Sequence, residues 1–116
     1  MPEAASTLEG RRGRRLGTLF YGSDRVAIEI DDRTLAHLQL AIVSKLRRHE
    51  SFALTWREDG TTGQGRNVVW LHESIPLRFA YAGSRMAAIN RAWVDALLES
   101  ASTTVGMRLE PEPQEI

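Results

Sequence analysis

The stretch FALTWR at residues 52–57 alternates large apolar residues with small or polar ones at every step. Period two is typical of a β-strand with one buried face and one wetter face. Residues 66–72 and 77–82 repeat this pattern, so we predict three consecutive antiparallel strands. Residues 58–65 then form a hairpin loop, and Pro76 lies at the start of the third strand, where a missing N–H is tolerated.

A helix and a hairpin precede these strands. Leu35, Leu38, Ile42 and Leu46 have helical spacing, and Asp31 or Asp32 stands at the N-cap position. Leu40 and Val43 widen the apolar arc of this helix beyond the stripe of about 100° that one packing face requires. Upstream, residues 16–21 and 26–30 are rich in strand-forming residues around a turn at residues 22–25, which predicts an opening hairpin.

A second helix is predicted downstream, from a cap at Ser84 to about Ala101, followed by a short strand at residues 105–109. The element order is therefore ββαβββαβ. It predicts a single two-layer α+β domain with a mainly antiparallel twisted sheet and two amphipathic helices on one face. A curled half-barrel and two smaller sheets are the alternatives, and the sequence leaves the strand order open. The aromatic residues on the inferred core faces are Phe52, Trp56, Trp70, Phe79, Tyr81 and Trp93.

Composition divides the chain of 116 residues into three parts. Residues 1–15 form a basic leader that we expect to be disordered, residues 16–110 form the α+β domain, and residues 111–116 form an acidic, proline-rich tail. The formal net charge is zero, and no apolar run suggests a membrane span or a secretory signal. We therefore expect a cytoplasmic protein.

The sequence contains little catalytic chemistry. It has no cysteine, and its three histidines are far apart, so we expect no metal and no cofactor. The glycine-rich residues 60–66 precede a strand rather than a helix, which favours a hairpin loop over a phosphate-binding loop. No residue is assigned as catalytic. Candidate binding residues are Arg57 and Arg78, expected on the wetter sheet face, and His72 and Arg85, considered together with Asn90.

Several strings resemble a family of small actinobacterial proteins of unknown function. They include Leu16-Gly17-Thr18-Leu19, Lys45-Leu46-Arg47-Arg48, Trp70-Leu71-His72, Ser74-Ile75-Pro76-Leu77 and Asn90-Arg91-Ala92-Trp93. Genome annotation often labels such proteins ATP-dependent DNA ligase. The label requires a lysine nucleophile in a Lys-x-Asp-Gly motif, and the sole lysine, Lys45, is followed by Leu-Arg-Arg, so we expect no ligase activity. Relatives begin near Leu16, which suggests that residues 1–15 are a mis-assigned extension.

Three functions are compatible with this sequence. The first is a non-catalytic interaction domain that binds another protein or a second copy of itself, with Leu40, Val43, Val94 and Leu98 as possible interface residues. The second is a nucleic-acid accessory module that uses the arginine leader together with Arg57 and Arg78. The third is a small-molecule enzyme with a site that the sequence does not reveal.

Overall fold

The structure, a computed structural model, describes residues 15–57 and 65–114. Its α+β architecture and its element order confirm the prediction. The elements are β1 (Leu16–Tyr21), β2 (Val26–Asp31), α1 (Asp32–Arg47), β3 (Phe52–Arg57), β4 (Arg66–Leu71), β5 (Leu77–Ala80), α2 (Arg91–Ala101) and β6 (Met107–Arg108).

The strands form two three-stranded sheets rather than one. Two smaller sheets were one of the alternatives that the sequence left open. The first sheet has the order β2-β1-β5 and the second has the order β4-β3-β6. All pairings are antiparallel except the parallel contact of β3 with β6. The predicted run of three neighbouring strands is wrong at β5, which leaves β4 and pairs with β1. The Gly22 N–H donates to the Pro76 carbonyl at 3.0 Å, so the chain crosses to the first sheet just before β5 begins.

Each helix covers a different sheet. Helix α1 packs on β1 and β2, helix α2 packs on β3 and β6, and the two helices contact one another. Because the two helices also pack against each other, the buried apolar residues of both sheets and both helices form one continuous core. Its largest fully enclosed apolar side chains are Leu19, Leu35, Leu38, Ile42, Leu54, Leu71, Leu97 and Met107.

The start of α1 agrees with the sequence. Asp31 is the N-cap, and its carboxylate accepts a hydrogen bond from the Thr34 N–H at 2.9 Å. This bond satisfies one of the free N–H groups of the first turn. Lys45 and Arg47 lie in the last turn, where positive charge stabilises the helix dipole.

Helix α2 starts later than predicted. Asn90 is its N-cap and accepts a hydrogen bond from the Ala92 N–H at 3.0 Å, whereas residues 84–90 are not helical. The prediction of a cap at Ser84 is therefore wrong, although Met86, Ala87 and Ala88 are compatible with a helix. Contacts with α1, described below, hold this segment in another conformation.

Two of the six aromatic residues predicted for the core lie elsewhere. Phe52 and Trp93 are buried, and Trp56 and Phe79 pack at the margin of the core. Trp70 is 54% exposed and Tyr81 is 38% exposed. Trp70 lies on the outer face of β4, and Tyr81 follows the end of β5, beyond the strand pattern that placed it inward.

Candidate functional site: an apolar cleft beside helix α1

A cleft of about 240 Å³ lies between α1 and the segment formed by residues 81–89, and we call it the α1 cleft. Its apolar side chains come from both walls and are unusually exposed. Met86 is 90% exposed, Leu40 44%, Ile89 41% and Tyr81 38%. A contiguous exposed apolar group of this kind is typical of a binding surface rather than of the scattered apolar residues that any protein surface carries.

Two adjacent residues in the first turn of α1 hold the segment that forms the outer wall. The Asp32 carboxylate accepts hydrogen bonds from the Ala82 N–H at 3.0 Å and the Gly83 N–H at 2.8 Å. At the far end of the segment, Arg33 Nη1 donates to the Ala88 carbonyl at 2.8 Å. The bonds from Asp32 fix the chain before Ser84, and the bond from Arg33 satisfies the Ala88 carbonyl, which would accept an intrahelical hydrogen bond if the helix began at Ser84.

The polar groups of the α1 cleft are already engaged with each other. The Tyr81 hydroxyl donates a hydrogen bond to the Gln39 side-chain oxygen at 2.6 Å. Burial raises the pKa of Tyr81 above its ordinary value, and the nearby Asp32 carboxylate raises it further. The phenol therefore stays protonated near neutral pH and does not serve as a general base there.

A second, more polar opening of about 650 Å³ adjoins the α1 cleft and shares five lining residues with it: Asp32, Gly83, Ser84, Arg85 and Ala87. Arg15, Asp31 and Arg33 complete this opening. Arg85, a binding candidate from the sequence, is exposed and lines both openings. The apolar cleft thus has a charged rim, the arrangement found around the apolar centre of many protein interfaces.

His37, which the sequence reasoning did not single out, is fully buried on α1 and contacts the start of α2. Its Nδ1 is 2.7 Å from the Arg33 carbonyl, and its Nε2 is 2.8 Å from the Asn90 N–H. A carbonyl only accepts and an N–H only donates, so Nδ1 carries the proton and Nε2 accepts. The ring also stacks on Trp93 with centroids 4.6 Å apart. Both nitrogens are occupied, so His37 joins α1 to α2 and is not available as a ligand.

The C-terminal segment is fastened to the same region. The Glu112 carboxylate receives two hydrogen bonds from the Arg33 guanidinium, at 2.9 and 2.8 Å. It receives a third from Asn90 Nδ2 at 2.9 Å, and Nδ2 also donates to the Pro113 carbonyl at 2.9 Å. The bonds from Arg33 and Asn90 hold the pKa of Glu112 at about 2. Glu112 therefore fastens the acidic proline-rich tail to the folded domain, and its carboxylate fixes the positions of the Arg33 and Asn90 side chains.

The other candidate residues from the sequence are not brought together. Arg57 lies at the end of β3 in the second sheet, and Arg78 lies in β5 of the first sheet, so the predicted shared face is wrong. Arg78 sits over the Phe20 ring at 5.6 Å. His72 follows β4, where its Nδ1 accepts a hydrogen bond from the Ser74 N–H at 3.0 Å and closes a local turn.

The four predicted interface residues divide by helix. Leu40 and Val43 on α1 are 44% and 37% exposed, which agrees with the apolar surface expected there. Val94 on α2 is only 5% exposed, so the expectation that it leaves apolar surface uncovered is wrong. Leu98 is partly buried against the core. Residues 58–64 of the predicted hairpin loop, with most of its glycine-rich part, and residues 1–14 of the leader lie outside the described residues.

Comparisons with known proteins give one match. The family model described as a domain of unknown function, DUF7882, matches residues 16–112. No curated protein and no solved structure matches this chain. Neither helix in residues 15–57 and 65–114 combines the length and apolar character needed to cross a membrane. Within the same ranges, no three potential metal-binding side chains from histidine, aspartate or glutamate come together.

Proposed function

Since the chain belongs to the DUF7882 family, whose function is unknown, we propose its function from the site: a non-catalytic domain that binds a partner protein in the α1 cleft. The observation that carries this proposal is the exposure of Met86, Leu40 and Ile89 around one concave surface. When a partner covers apolar area of this kind, the free energy of binding becomes more favourable by roughly 25 cal/mol per Å².

The size of the α1 cleft favours side chains over a complete cofactor or substrate. Its volume of about 240 Å³ is below the roughly 300–1,000 Å³ of small-molecule sites. Met86 is well suited to a binding surface, because an unbranched thioether side chain adapts its shape to different neighbours. We propose that the partner inserts one or two apolar side chains and that Arg85, which is exposed at the rim, contacts its polar groups.

The polar side chains that line the cleft favour binding over catalysis. Tyr81 and Gln39 are hydrogen bonded to each other, and Asp32 is occupied by two backbone N–H groups. A catalytic site needs a group that can exchange a proton or attack a substrate. Asp32 and Tyr81, the acidic residue and the phenol that line the cleft, are both engaged in this way, which supports a non-catalytic role.

We also propose that the chain has no ligase activity, although the sequence resemblance implies that actinobacterial relatives carry that label. Lys45 Nζ forms an ion pair with Glu50 at 2.9 Å, and its side chain is only 11% exposed. Its hydrogen bond lowers the pKa of Glu50. We expect no radioactivity on the protein after incubation with α-labelled ATP; a covalent adenylate on Lys45 would contradict this.

Photo-crosslinking in the native host, with the cytoplasm as the expected compartment, tests the binding proposal. A photoreactive amino acid replaces Met86 in one variant and exposed Arg91, outside the cleft, in a control. We expect one reproducible protein adduct from position 86 that is absent from position 91 and is lost when Leu40→Glu is added. Identical adducts at both positions, or an adduct that survives Leu40→Glu, would refute a specific site in the cleft.

A further inference from the structure

Strand β4 has an open side. The second sheet has the order β4-β3-β6, so β4 lies at its edge among the described residues. Two large apolar side chains on this strand are more than half exposed, Val68 at 53% and Trp70 at 54%. An exposed edge strand with apolar residues is a template for pairing with another strand unless charge or a bulge prevents it.

The backbone groups on the open side can be identified from the pairing of β3. The Leu109 N–H donates to the Thr55 carbonyl at 3.2 Å, so Thr55 directs its backbone groups towards β6. Its neighbours Leu54 and Trp56 therefore direct theirs towards β4, opposite Val69 and Asn67.

The alternate residues of β4, which are Arg66, Val68 and Trp70, direct their N–H and carbonyl groups away from β3. A second contact agrees with this assignment, because the Tyr21 hydroxyl donates to the Trp70 carbonyl at 2.7 Å from outside the β3–β4 pair. That carbonyl has a second lone pair for a further hydrogen bond. Strand β4 thus presents the N–H and carbonyl groups of Arg66 and Val68 and the N–H of Trp70 on its open edge, and its Trp70 carbonyl already accepts one bond from Tyr21.

The side chains of the same three residues form a self-complementary pattern. Arg66 and Trp70 flank Val68 at equal distances along the strand, and all three lie on the outer face of the sheet. Antiparallel pairing of two such strands about Val68 sets the Arg66 guanidinium of each copy opposite the Trp70 ring of the other. A guanidinium over an indole ring is a favourable cation–π contact. Parallel pairing would instead set arginine against arginine.

We propose that this protein forms a two-fold symmetric homodimer in which β4 pairs antiparallel with β4 of a second copy, centred on Val68. The second sheet becomes one continuous six-stranded sheet across the dimer. The occupant is a second copy because the Arg66, Val68 and Trp70 pattern is complementary to itself when the strand direction is reversed, as an isologous contact requires. Arg57 lies directly opposite Arg66 on β3, and its charge favours a displacement of the Arg66 side chain towards the partner.

The dimer is expected to be weak. One edge of six residues buries less surface than the roughly 1,200–2,000 Å² of stable interfaces. A dissociation constant on the order of micromolar or above is therefore expected. This surface is separate from the α1 cleft, and the proposal does not rest on the function proposed for that cleft.

Sedimentation velocity of the full chain over a wide concentration range tests the dimer. We expect the mass to rise from 13.0 kDa towards twice that value. Val68→Lys sets two like charges against each other on the symmetry axis, so that variant should stay at 13.0 kDa throughout. Val26→Lys is the matched control, because Val26 lies on the edge strand of the first sheet and is also 53% exposed. This control should dimerise as the wild type does.

Disulfide trapping provides a second test that does not depend on the lysine variants. The chain has no cysteine, and paired residues on a two-fold axis lie about 5.5 Å apart between Cα atoms, within reach of a disulfide. Val68→Cys should oxidise to a covalent dimer much faster than Val26→Cys. A wild type that stays monomeric, equal effects of the two lysine variants, equal trapping of the two cysteine variants, or loss of the dimer in Leu40→Glu would each overturn the proposal.

Discussion

Asn90 joins three parts of the molecule, and its replacement should be among the most costly changes of a polar residue. It is only 2% exposed. Its Oδ1 caps α2 at the Ala92 N–H, and its Nδ2 donates to Glu112 and to the Pro113 carbonyl. Asn90→Ala removes the cap, worth about 1 kcal/mol, and two partly buried hydrogen bonds, worth about 1 kcal/mol each. The expected loss in the free energy of unfolding is therefore about 3 kcal/mol.

Urea unfolding followed by circular dichroism measures this loss. With a slope of about 2 kcal/mol per M, the midpoint should fall by about 1.5 M. Asn90→Asp keeps an acceptor for the Ala92 N–H but replaces the donor with a carboxylate facing Glu112. At neutral pH it should therefore also be clearly less stable than the wild type.

A control and a refuting result are available for these variants. Asp95 lies on the same helix with a side chain that is 63% exposed, so Asp95→Ala should change stability by less than about 0.5 kcal/mol. A loss below about 1 kcal/mol in Asn90→Ala would show that the connection between α2 and the tail contributes little. Wild-type stability of Asn90→Asp would show that the two donated bonds are dispensable.

Two further predictions concern the tail and the turns. Glu112→Gln should speed removal of the tail by carboxypeptidase, whereas Glu110→Gln, which loses only an exposed pair with Arg108, should not. Because the pKa of Glu112 is lowered from 4.5 to about 2, the stability that its ionised form adds is complete above about pH 4.5 and is lost as the pH falls towards 2. The wild type should therefore lose its advantage over Glu112→Gln in that window, and an advantage unchanged at pH 2 would contradict the assignment. Gly106→Ala should destabilise far more than Gly22→Ala, because both have positive φ but only at Gly106 would a Cβ lie 2.5 Å from the Ala53 carbonyl oxygen; equal losses in unfolding midpoint would contradict this.

Local patterns predicted the local elements well. Alternation located β3 and β4, and the position of Asp31 before a helical repeat located the start of α1. The family resemblance was confirmed at the level of a domain of unknown function. These features depend on neighbouring residues, so the sequence carries them directly.

The partner of β5 and the start of α2 depend on distant residues and were wrong. Residues 84–89 have helix-forming side chains, but Arg33 binds the Ala88 carbonyl and Asp32 binds the backbone just before this segment, from 50 to 55 positions away. Asn90 followed by a helical apolar pattern was the local signal that marked the true start. The role of His37 had a weaker signal, its position four residues before buried Ala41 on the inner side of α1.

The order of strands has a consequence for cutting the chain in two. A break in the connection between β3 and β4 leaves β1, β2, α1 and β3 on one fragment and β4, β5, α2 and β6 on the other. Neither fragment holds a complete sheet, because the first sheet needs β5 and the second needs β3. Each fragment alone should stay unfolded, and the two should fold on meeting. The domain therefore offers a split reporter whose signal arises only when its halves are brought together.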